Sequence, residues 1–268
     1  MCKLVGMTRQ SHYRYLHRET KERMIEEVIL EYVLTRRTQH SRMGSKKLYH
    51  EAKRELDMEG IGRDKFLKIL RNNGLLLKRR WKKARTTNSR HSFRIYGNAL
   101  DERAKQMRNG AVVSDITYIR LGDGFHYLSL VTEVSSRKIV GYDLSHSLGI
   151  EGSIRAMKMA IREIGDTRGM IHHSDRGIQY CSREYIGMLT SRGIRISMSE
   201  KGNPYENAIA ERINGILKKE YRLDHHFGSK EEALKAVREA IRLYNDDRPH
   251  WSLGLRTPSE VYESGAKN

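Results

Sequence analysis

Three acidic residues stand at positions where a carboxylate can do chemistry. Asp115 lies inside an apolar, β-branched stretch typical of a strand, and Asp175 ends a second short strand of the same kind. Glu211 lies on an amphipathic helix whose apolar positions can pack on a sheet. An ionised carboxylate is costly to bury among apolar side chains unless it is paired or binds a cation. These three acids are therefore the candidate catalytic residues.

The elements predicted around these acids allow them to meet at one point. Ligands of open α/β sheets gather at strand ends, and the helix of Glu211 has a polar face of Asn207, Glu211, Asn214 and Lys218. Neighbouring acids repel one another and normally hold hard divalent cations through oxygen, so Mg²⁺ or Mn²⁺ is expected. The pattern predicts two-metal phosphodiester transfer, in which one ion activates the attacking oxygen and the other the leaving oxygen.

From residue 111 onwards the hydrophobic period is that of strands. Three strands are predicted, at 111–119, 125–134 and 138–146. Helices at 154–164 and 183–191 then alternate with strands at 170–173 and 194–197, and two helices follow at 205–221 and 230–244. Strands first, then alternation, indicate an α/β fold with a mixed sheet flanked by helices.

The N-terminal region has helical periodicity instead. Two short helices are predicted at 3–6 and 7–17, with Thr8 as N-cap of the second. Three further amphipathic helices are predicted, around 24–33, 48–56 and 66–70. Several short helices with a strong basic excess are typical of a helix-turn-helix DNA-binding module.

Basic residues are concentrated in that region. The 268 residues carry a formal net charge of +18, of which residues 1–100 contribute +15 and residues 101–268 only +3. Such an excess favours a polyanionic partner, because neutralised phosphates release condensed counterions. An anionic membrane is the rival interpretation, but no basic amphipathic helix shows a Trp/Phe/Leu-rich face.

A basic segment without any acid follows at 78–90. It contains Trp81, which, like Trp251 in the tail, is interpreted as a packing residue. One interpretation of the segment is a solvated linker; the other is a tether that follows DNA phosphates, and both can hold. The candidate DNA-contacting residues in it are Arg79, Arg80, Lys82, Lys83 and Arg85.

Other polar residues flank the three acids. Lys201, Lys218 and Lys219 are candidates for phosphate contact, although a solvated face explains them nearly as well. His172 and His173 alternate along a strand, so at most one is expected to face the site. The preferred interpretation is a hydrogen-bonded structural histidine.

Hydropathy and cysteine content exclude several classes of protein. No apolar run approaches the roughly 18 residues of a membrane span, and no signal peptide is recognisable. The two cysteines, Cys2 and Cys181, cannot supply a disulfide framework, and without a Cys-x-x-Cys pattern a structural zinc site is not expected. We therefore expect a cytoplasmic protein.

Five stretches closely resemble insertion-sequence transposases with a retroviral-integrase-like core, and more narrowly the second-reading-frame product of bacterial two-frame elements. They are SDITYI (114–119), SRKIVG (136–141), HHSDRGIQY (172–180), KGNPYENA (201–208) and YNDDRPH (244–250). The family's catalytic triad maps onto Asp115, Asp175 and Glu211, and the 35 residues between the last two match its usual spacing. The resemblance covers nearly the whole chain.

The resemblance implies a ribonuclease-H-like core that uses Mg²⁺. This core is expected to cleave double-stranded DNA at the inverted-repeat ends of the element and to join the 3′-hydroxyl ends to target DNA. The expected regions are helical DNA-binding (1–77), basic linker (78–108), catalytic core (109–225) and a C-terminal helix and tail completing the core (226–268). Further copies of the chain on paired ends, and the product of an upstream reading frame, are the expected protein partners. The expected location is the bacterial cytoplasm, on the nucleoid.

Departures from the family pattern leave alternatives open. The family usually has an aromatic residue near Val112 and an aspartate in place of Glu206, so Glu206 is a second candidate for the third acid. The 35-residue spacing and the helix face favour Glu211. The alternative functions are a non-catalytic DNA-binding regulator derived from a transposase, and a ribonuclease-H-like nuclease that cuts without joining.

Overall fold

The computed structural model describes residues 8–56, 58, 60–77, 94–122, 124–200 and 207–265. The chain divides into two units, Met1–Lys82 and Lys83–Asn268. Each unit encloses apolar clusters of its own, as expected of separate domains.

Three helices form the described part of the N-terminal unit. They are α1 (Arg9–Gln39), α2 (Ser45–Glu55) and α3 (Arg63–Asn72). Their apolar faces meet in a buried cluster that includes Ile29, Leu48 and Phe66. Arg36 of α1 donates two hydrogen bonds to the carboxylate of Glu51 on α2, both at 3.1 Å, and so joins the two helices at the edge of this cluster.

The predicted break between the first helices is wrong. α1 runs for 31 residues, through the helices predicted at 7–17 and 24–33. Residues 18–23 between them contain neither glycine nor proline, and their Arg, Glu and Lys are good helix formers, so nothing ends the helix there. The predicted N-cap is confirmed, because Oγ1 of Thr8 accepts a hydrogen bond from the backbone nitrogen of Ser11 at 3.1 Å. The helix predicted at 3–6 lies outside the described residues.

A mixed sheet forms the centre of the C-terminal unit, which begins with the short helix α4 (Glu102–Gln106). The antiparallel strands are β1 (Ala111–Leu121), β2 (Gly124–Glu133) and β3 (Ile139–Ser145). The strands added in parallel are β4 (Ile171–Ser174), β5 (Arg195–Met198) and β6 (His226–Phe227). The order is β3-β2-β1-β4-β5, and β6 pairs with the end of β1.

Helices cover both faces of this sheet. Those on one face are α5 (Ile150–Ile164), α6 (Ile178–Cys181) and α7 (Arg183–Thr190). Those on the other face are α8 (Ala208–Glu220) and α9 (Lys230–Asp246). A last helix, α10 (Pro258–Ser264), packs on α9. The predicted α/β fold with a mixed sheet flanked by helices is confirmed.

Several elements differ from the sequence prediction. The short helices α4, α6 and α10 were not expected. Strand β6 was not expected, because two residues are too few to show alternation. Helix α5 begins before its predicted start at Ile154 and includes Gly152. A Cβ at Gly152 would lie 2.7 Å from Oγ of Ser145, so this glycine permits close packing on β3 and does not end the helix.

No helix in the described ranges combines the length and the hydrophobicity that crossing a lipid bilayer requires.

Gly141 of β3 lies where α5 crosses the sheet. A Cβ built on it would overlap the backbone oxygen of Ala156 and lie 2.9 Å from the backbone nitrogen of Ala160. We expect Gly141→Ala to lower the free energy of unfolding by about 1–3 kcal/mol, because the helix must move off the sheet. The control is Gly187→Ala in α7, whose Cβ position has nothing within 4 Å. It should gain roughly 0.5–1 kcal/mol. Urea denaturation measures both, and an unchanged midpoint for Gly141→Ala would contradict this packing.

Candidate active site

Asp115 and Asp175 become neighbours through the register between β1 and β4. The two strands are parallel, and their last paired residues are Ser114 and Ser174. The next residue on each strand is an aspartate, so both carboxylates lie at the point where β4 ends and β1 continues beside β2. Binding sites of α/β sheets form at such strand ends. The sheet therefore brings the first two candidate residues together.

Asp115 is held by two hydrogen bonds. Its Oδ1 accepts one from the backbone nitrogen of Ile116 at 2.9 Å, and its Oδ2 accepts one from Nδ2 of Asn214 on α8 at 2.6 Å. The pKa of Asp115 is raised to about 7, mainly by burial, then by the charge of Asp175 and least by that of Glu211. The two hydrogen bonds lower the pKa and so oppose this shift. The anionic form of Asp115 is thus destabilised by burial and by acidic neighbours, a condition that a bound cation reverses.

Asp175 is half-buried at the end of β4. Its Oδ1 accepts a hydrogen bond from the backbone nitrogen of Gly177 at 2.9 Å, and Gly177 is the N-cap of α6. A Cβ at Gly177 would lie only 2.9 Å from the same Oδ1. The glycine turn thereby holds the carboxylate close to the backbone.

Glu211 is exposed in the first turn of α8. Its charge contributes to the raised pKa of Asp115, so it lies within electrostatic reach of that acid. Within the described ranges, no three His, Cys, Asp or Glu side chains form a group that could hold a metal ion. The structure thus brings the three acids into one neighbourhood without closing a ligand set. Residue Glu206, the second candidate for the third acid, lies outside the described residues.

The donor chemistry of this neighbourhood fits a divalent cation. All three candidates offer carboxylate oxygens, the hard ligands that Mg²⁺ and Mn²⁺ prefer. Burial raises the pKa of Asp115 most, and the charge of Asp175 adds to the shift; a bound cation would stabilise the carboxylate against both effects.

Lys218 is a candidate phosphate ligand within electrostatic reach of Asp115. Its Nζ is 3.8 Å from the centroid of the Tyr118 ring on β1. Burial lowers the pKa of Lys218, although the charges of Asp115 and Asp224 oppose the shift. Lys219 is exposed on the same helix.

The remaining candidate DNA-contacting residues lie outside the described residues. They are Arg79, Arg80, Lys82, Lys83, Arg85 and Lys201.

His172 and His173 are structural, and the prediction of hydrogen-bonded histidines is confirmed. Nε2 of His172 contacts Oγ of Ser114 at 2.9 Å and the hydroxyl of Tyr185 at 3.0 Å. Nδ1 of His173 contacts Oγ of Ser197 at 2.8 Å. Burial, with the neighbouring His173, lowers the pKa of His172 to about 3, so this ring is neutral at physiological pH. The two histidines tie β4 to its neighbouring elements beside Asp115 and Asp175.

Sequence reasoning missed the roles of Asn214 and Tyr118. Asn214 was visible on the polar helix face, three residues after Glu211, but nothing in the sequence paired it with Asp115. Tyr118 follows Asp115 closely, yet its contact with Lys218 joins residues 100 positions apart. The packing role expected for Trp251 is wrong, because its side chain is 58% exposed. This tryptophan begins a short 3₁₀ turn after α9.

The chain is similar to known proteins along most of its length. Two family models, both described as integrase core domain, match residues 105–204 and 192–258. The first match contains Asp115 and Asp175, and the second contains Glu211. Together the two matched ranges contain the sheet and its flanking helices, from β1 to α9.

Relatives from insertion elements extend the similarity. An uncharacterized 31 kDa protein of insertion element IS600 from Shigella sonnei is 33% identical, over 98% of this chain and 97% of that protein. Transposase InsF for insertion sequence IS3A from Escherichia coli (strain K12) is 34% identical, over 69% of this chain and 66% of the length of that transposase.

A solved structure shows the same fold at low identity. It is a chain of the simian T-cell lymphotropic virus intasome in complex with PP2A regulatory subunit B56 gamma, with a TM-score of 0.51 and 19% identity. The match covers 82% of this chain and 70% of that one. With this fold, the integrase core matches and the full-length similarity to an insertion-element protein, the chain belongs to the bacterial insertion-sequence transposases with a ribonuclease-H-like integrase core.

Proposed function

We propose that this transposase cleaves the ends of its element and joins the resulting 3′-hydroxyl groups to DNA, with Asp115, Asp175 and Glu211 as its catalytic residues. The observation that carries the proposal is the register of β1 and β4, which sets two aspartates side by side at a strand end. The bond from Asn214 to Asp115 holds the helix of Glu211 against the same strand.

Both steps use the same three carboxylates. Bound to them, two Mg²⁺ ions, or Mn²⁺ in their place, would activate the attacking oxygen and stabilise the leaving oxygen. The attacking group is water in the first step and the DNA 3′-hydroxyl in the second, so no covalent enzyme intermediate is required. The protein supplies position and charge: the sheet fixes Asp115 and Asp175, and α8 brings Glu211 from the other side.

DNA contacts are proposed for basic residues in both units. The helical region 1–77 binds element DNA, and the linker 78–108 follows its phosphates with the arginines and lysines between 79 and 85. Lys201, Lys218 and Lys219 contact phosphates near the reacting bond, within a catalytic core at 109–225 that residues 226–268 complete. Phosphate contacts of this kind position the duplex without reading its sequence.

The proposed assembly contains more than one copy of this chain on paired double-stranded ends, on the bacterial nucleoid. The viral relative of similar fold is part of an intasome. The product of an upstream reading frame is proposed as a further partner. Two inverted repeats processed together require two active sites, which a homo-oligomer supplies.

The proposal is tested with supercoiled plasmid that carries this gene with its flanking DNA. The purified chain is incubated with Mg²⁺ or Mn²⁺, and the breaks are mapped. We expect breaks at a pair of inverted repeats, followed by joined products, in the presence of either ion. The Glu211→Gln protein and an EDTA reaction should give neither, because each removes a component of the proposed site.

The other outcomes separate the alternative functions. Scattered cuts without joined products would indicate a ribonuclease-H-like nuclease. Tight DNA binding without cutting, unchanged when the upstream reading-frame product is added, would indicate a non-catalytic regulator. Cutting that Glu211→Gln leaves intact would contradict the assignment of the third acid.

A further inference from the structure

An aromatic ring contacts Lys218, the α8 lysine on which the charge of Asp115 acts. Nζ of Lys218 is 3.8 Å from the centroid of the Tyr118 ring. The Tyr118 ring also meets Phe125 in an edge-to-face contact, with centroids 5.3 Å apart and planes at 82°. Phe125 itself is 48% exposed. Phe125 therefore supports the Tyr118 ring at the surface, beside α8.

The half-buried ammonium contacts no carboxylate of the described residues. In the described part of the chain, no ion pair involves Lys218, although the charges of Asp115 and Asp224 act on it from further away. Burial disfavours the charged form of this group. The face of an aromatic ring attracts a cation, most strongly where water is excluded. Tyr118 is thus the close contact that stabilises the charge of Lys218 at this position.

Two separate contacts join α8 to β1. Asn214 donates its hydrogen bond to Asp115, and Lys218, one helical turn later, covers Tyr118. Residues four apart lie on one face of a helix. Glu211, three residues before Asn214, belongs to that face too. Together the two contacts resist rotation of α8 about its axis, and rotation would carry Glu211 away from Asp115.

We propose that Tyr118 is a positioning residue for DNA cleavage, whose ring holds the Lys218 ammonium on the helix face of Glu211 and Asn214 until a DNA phosphate takes it up. The inference rests on the proposed function, because it gives Lys218 its phosphate. It assigns the aromatic ring, and not the hydroxyl, as the active part of Tyr118. Breaking a contact between an ammonium and a ring costs less free energy than breaking a buried ion pair. The Lys218 ammonium therefore stays available to the phosphate.

The test compares single-turnover cleavage rates and DNA affinities of the full chain on its own element ends. Tyr118→Phe keeps the ring, and its rate should stay within about twofold of wild type. Tyr118→Leu keeps apolar volume without a ring, and its rate at saturating DNA should fall about tenfold. The matched control is Tyr142→Leu, a half-buried tyrosine of β3 that packs on the α8/α9 side. This variant should cleave at the wild-type rate.

A double variant separates positioning of Lys218 from a general effect on the sheet. If Tyr118 acts through Lys218, Tyr118→Leu combined with Lys218→Met should be no slower than Lys218→Met alone, within about twofold. Losses that multiply, or a Tyr118→Phe variant as slow as Tyr118→Leu, would overturn the inference. Thermal melting of each variant excludes unfolding as the cause of a loss. Failure of the proposed function has a different signature, because Glu211→Gln would then cleave like wild type.

A second readout does not depend on activity. Lysines are reductively methylated with ¹³C, and the Lys218 signal is assigned by its absence in Lys218→Arg. The ring current of Tyr118 should shift this signal upfield in wild type and in Tyr118→Phe, and the shift should vanish in Tyr118→Leu. Added DNA should reduce it in wild type. An unshifted wild-type signal would overturn the inference.

Discussion

Asp175→Asn should lose DNA cleavage and strand transfer by at least about a thousandfold while its affinity for DNA stays close to that of wild type. The substitution replaces a carboxylate by a neutral amide of the same shape at the end of β4. The backbone nitrogen of Gly177 can still donate to the remaining side-chain oxygen, as it does to Oδ1 of Asp175 at 2.9 Å. The fold is therefore preserved, and only the negative charge beside Asp115 is removed.

The measurement pairs cleavage and strand-transfer rates with DNA binding. The control is Asp166→Asn, the same change at an exposed acid that pairs with Arg168 at 2.7 Å before β4. It should retain the wild-type rates, since an exposed ion pair contributes little. Strand transfer by Asp175→Asn at more than a few per cent of the wild-type rate would contradict the role of Asp175 and with it the triad.

Arg248→Ala should produce a large loss of stability in the C-terminal unit. Arg248 is 2% exposed and donates two hydrogen bonds to the carboxylate of Glu220, at 2.7 and 2.9 Å, and one to Nε2 of His250 at 2.8 Å. The substitution removes the buried guanidinium that the partly buried carboxylate of Glu220 pairs with. We expect a loss of about 3 kcal/mol in the free energy of unfolding, because a pair of this kind costs several kcal/mol to break.

Thermal and urea denaturation of the full chain measure this loss. The melting temperature of the C-terminal unit should fall by roughly 6–12 °C. The control is Arg242→Ala in α9, whose pair with Glu239 lies in solvent with both side chains more than half exposed. It should change the stability by less than about 0.5 kcal/mol. A change of similar size for the two arginines would show that burial of the Arg248 pair is not what matters.

The stretch 244–250, one of the five that carry the family resemblance, has a structural role in this fold. Asn245 pairs with both backbone groups of Ile139 on β3, accepting from its nitrogen and donating to its oxygen at 2.9 Å each. Tyr244 donates to the backbone oxygen of Arg137 at 3.1 Å. With Arg248 bound to Glu220 at the end of α8, these contacts fasten α9 to β3 and to the helix that carries Glu211. The stretch 244–250 thus carries the family resemblance because it stabilises the fold, and it supplies no candidate catalytic residue.

Much of the C-terminal unit was predictable because its signals are local. Apolar residues recur with a period of two along a half-buried strand and with a period of 3.6 along an amphipathic helix. Each element can therefore be recognised within a few residues. Asp115 and Asp175 were identified because each is an acid in an apolar strand or at its end, and Glu211 because its spacing and helix face match the family motif. The partition of basic charge into the N-terminal hundred residues is likewise a property of the sequence alone.

The sequence by itself thus determined the family and the class of fold, and it singled out the three acids that we propose as catalytic. The tertiary structure decided how they are held: the Ser114–Ser174 register, the bond from Asn214 to Asp115, the ring of Tyr118 under Lys218 and the pair of Arg248 with Glu220. Each of these contacts joins residues from 28 to 100 positions apart. Such partners are chosen by the packing of whole elements, which no local period or motif encodes.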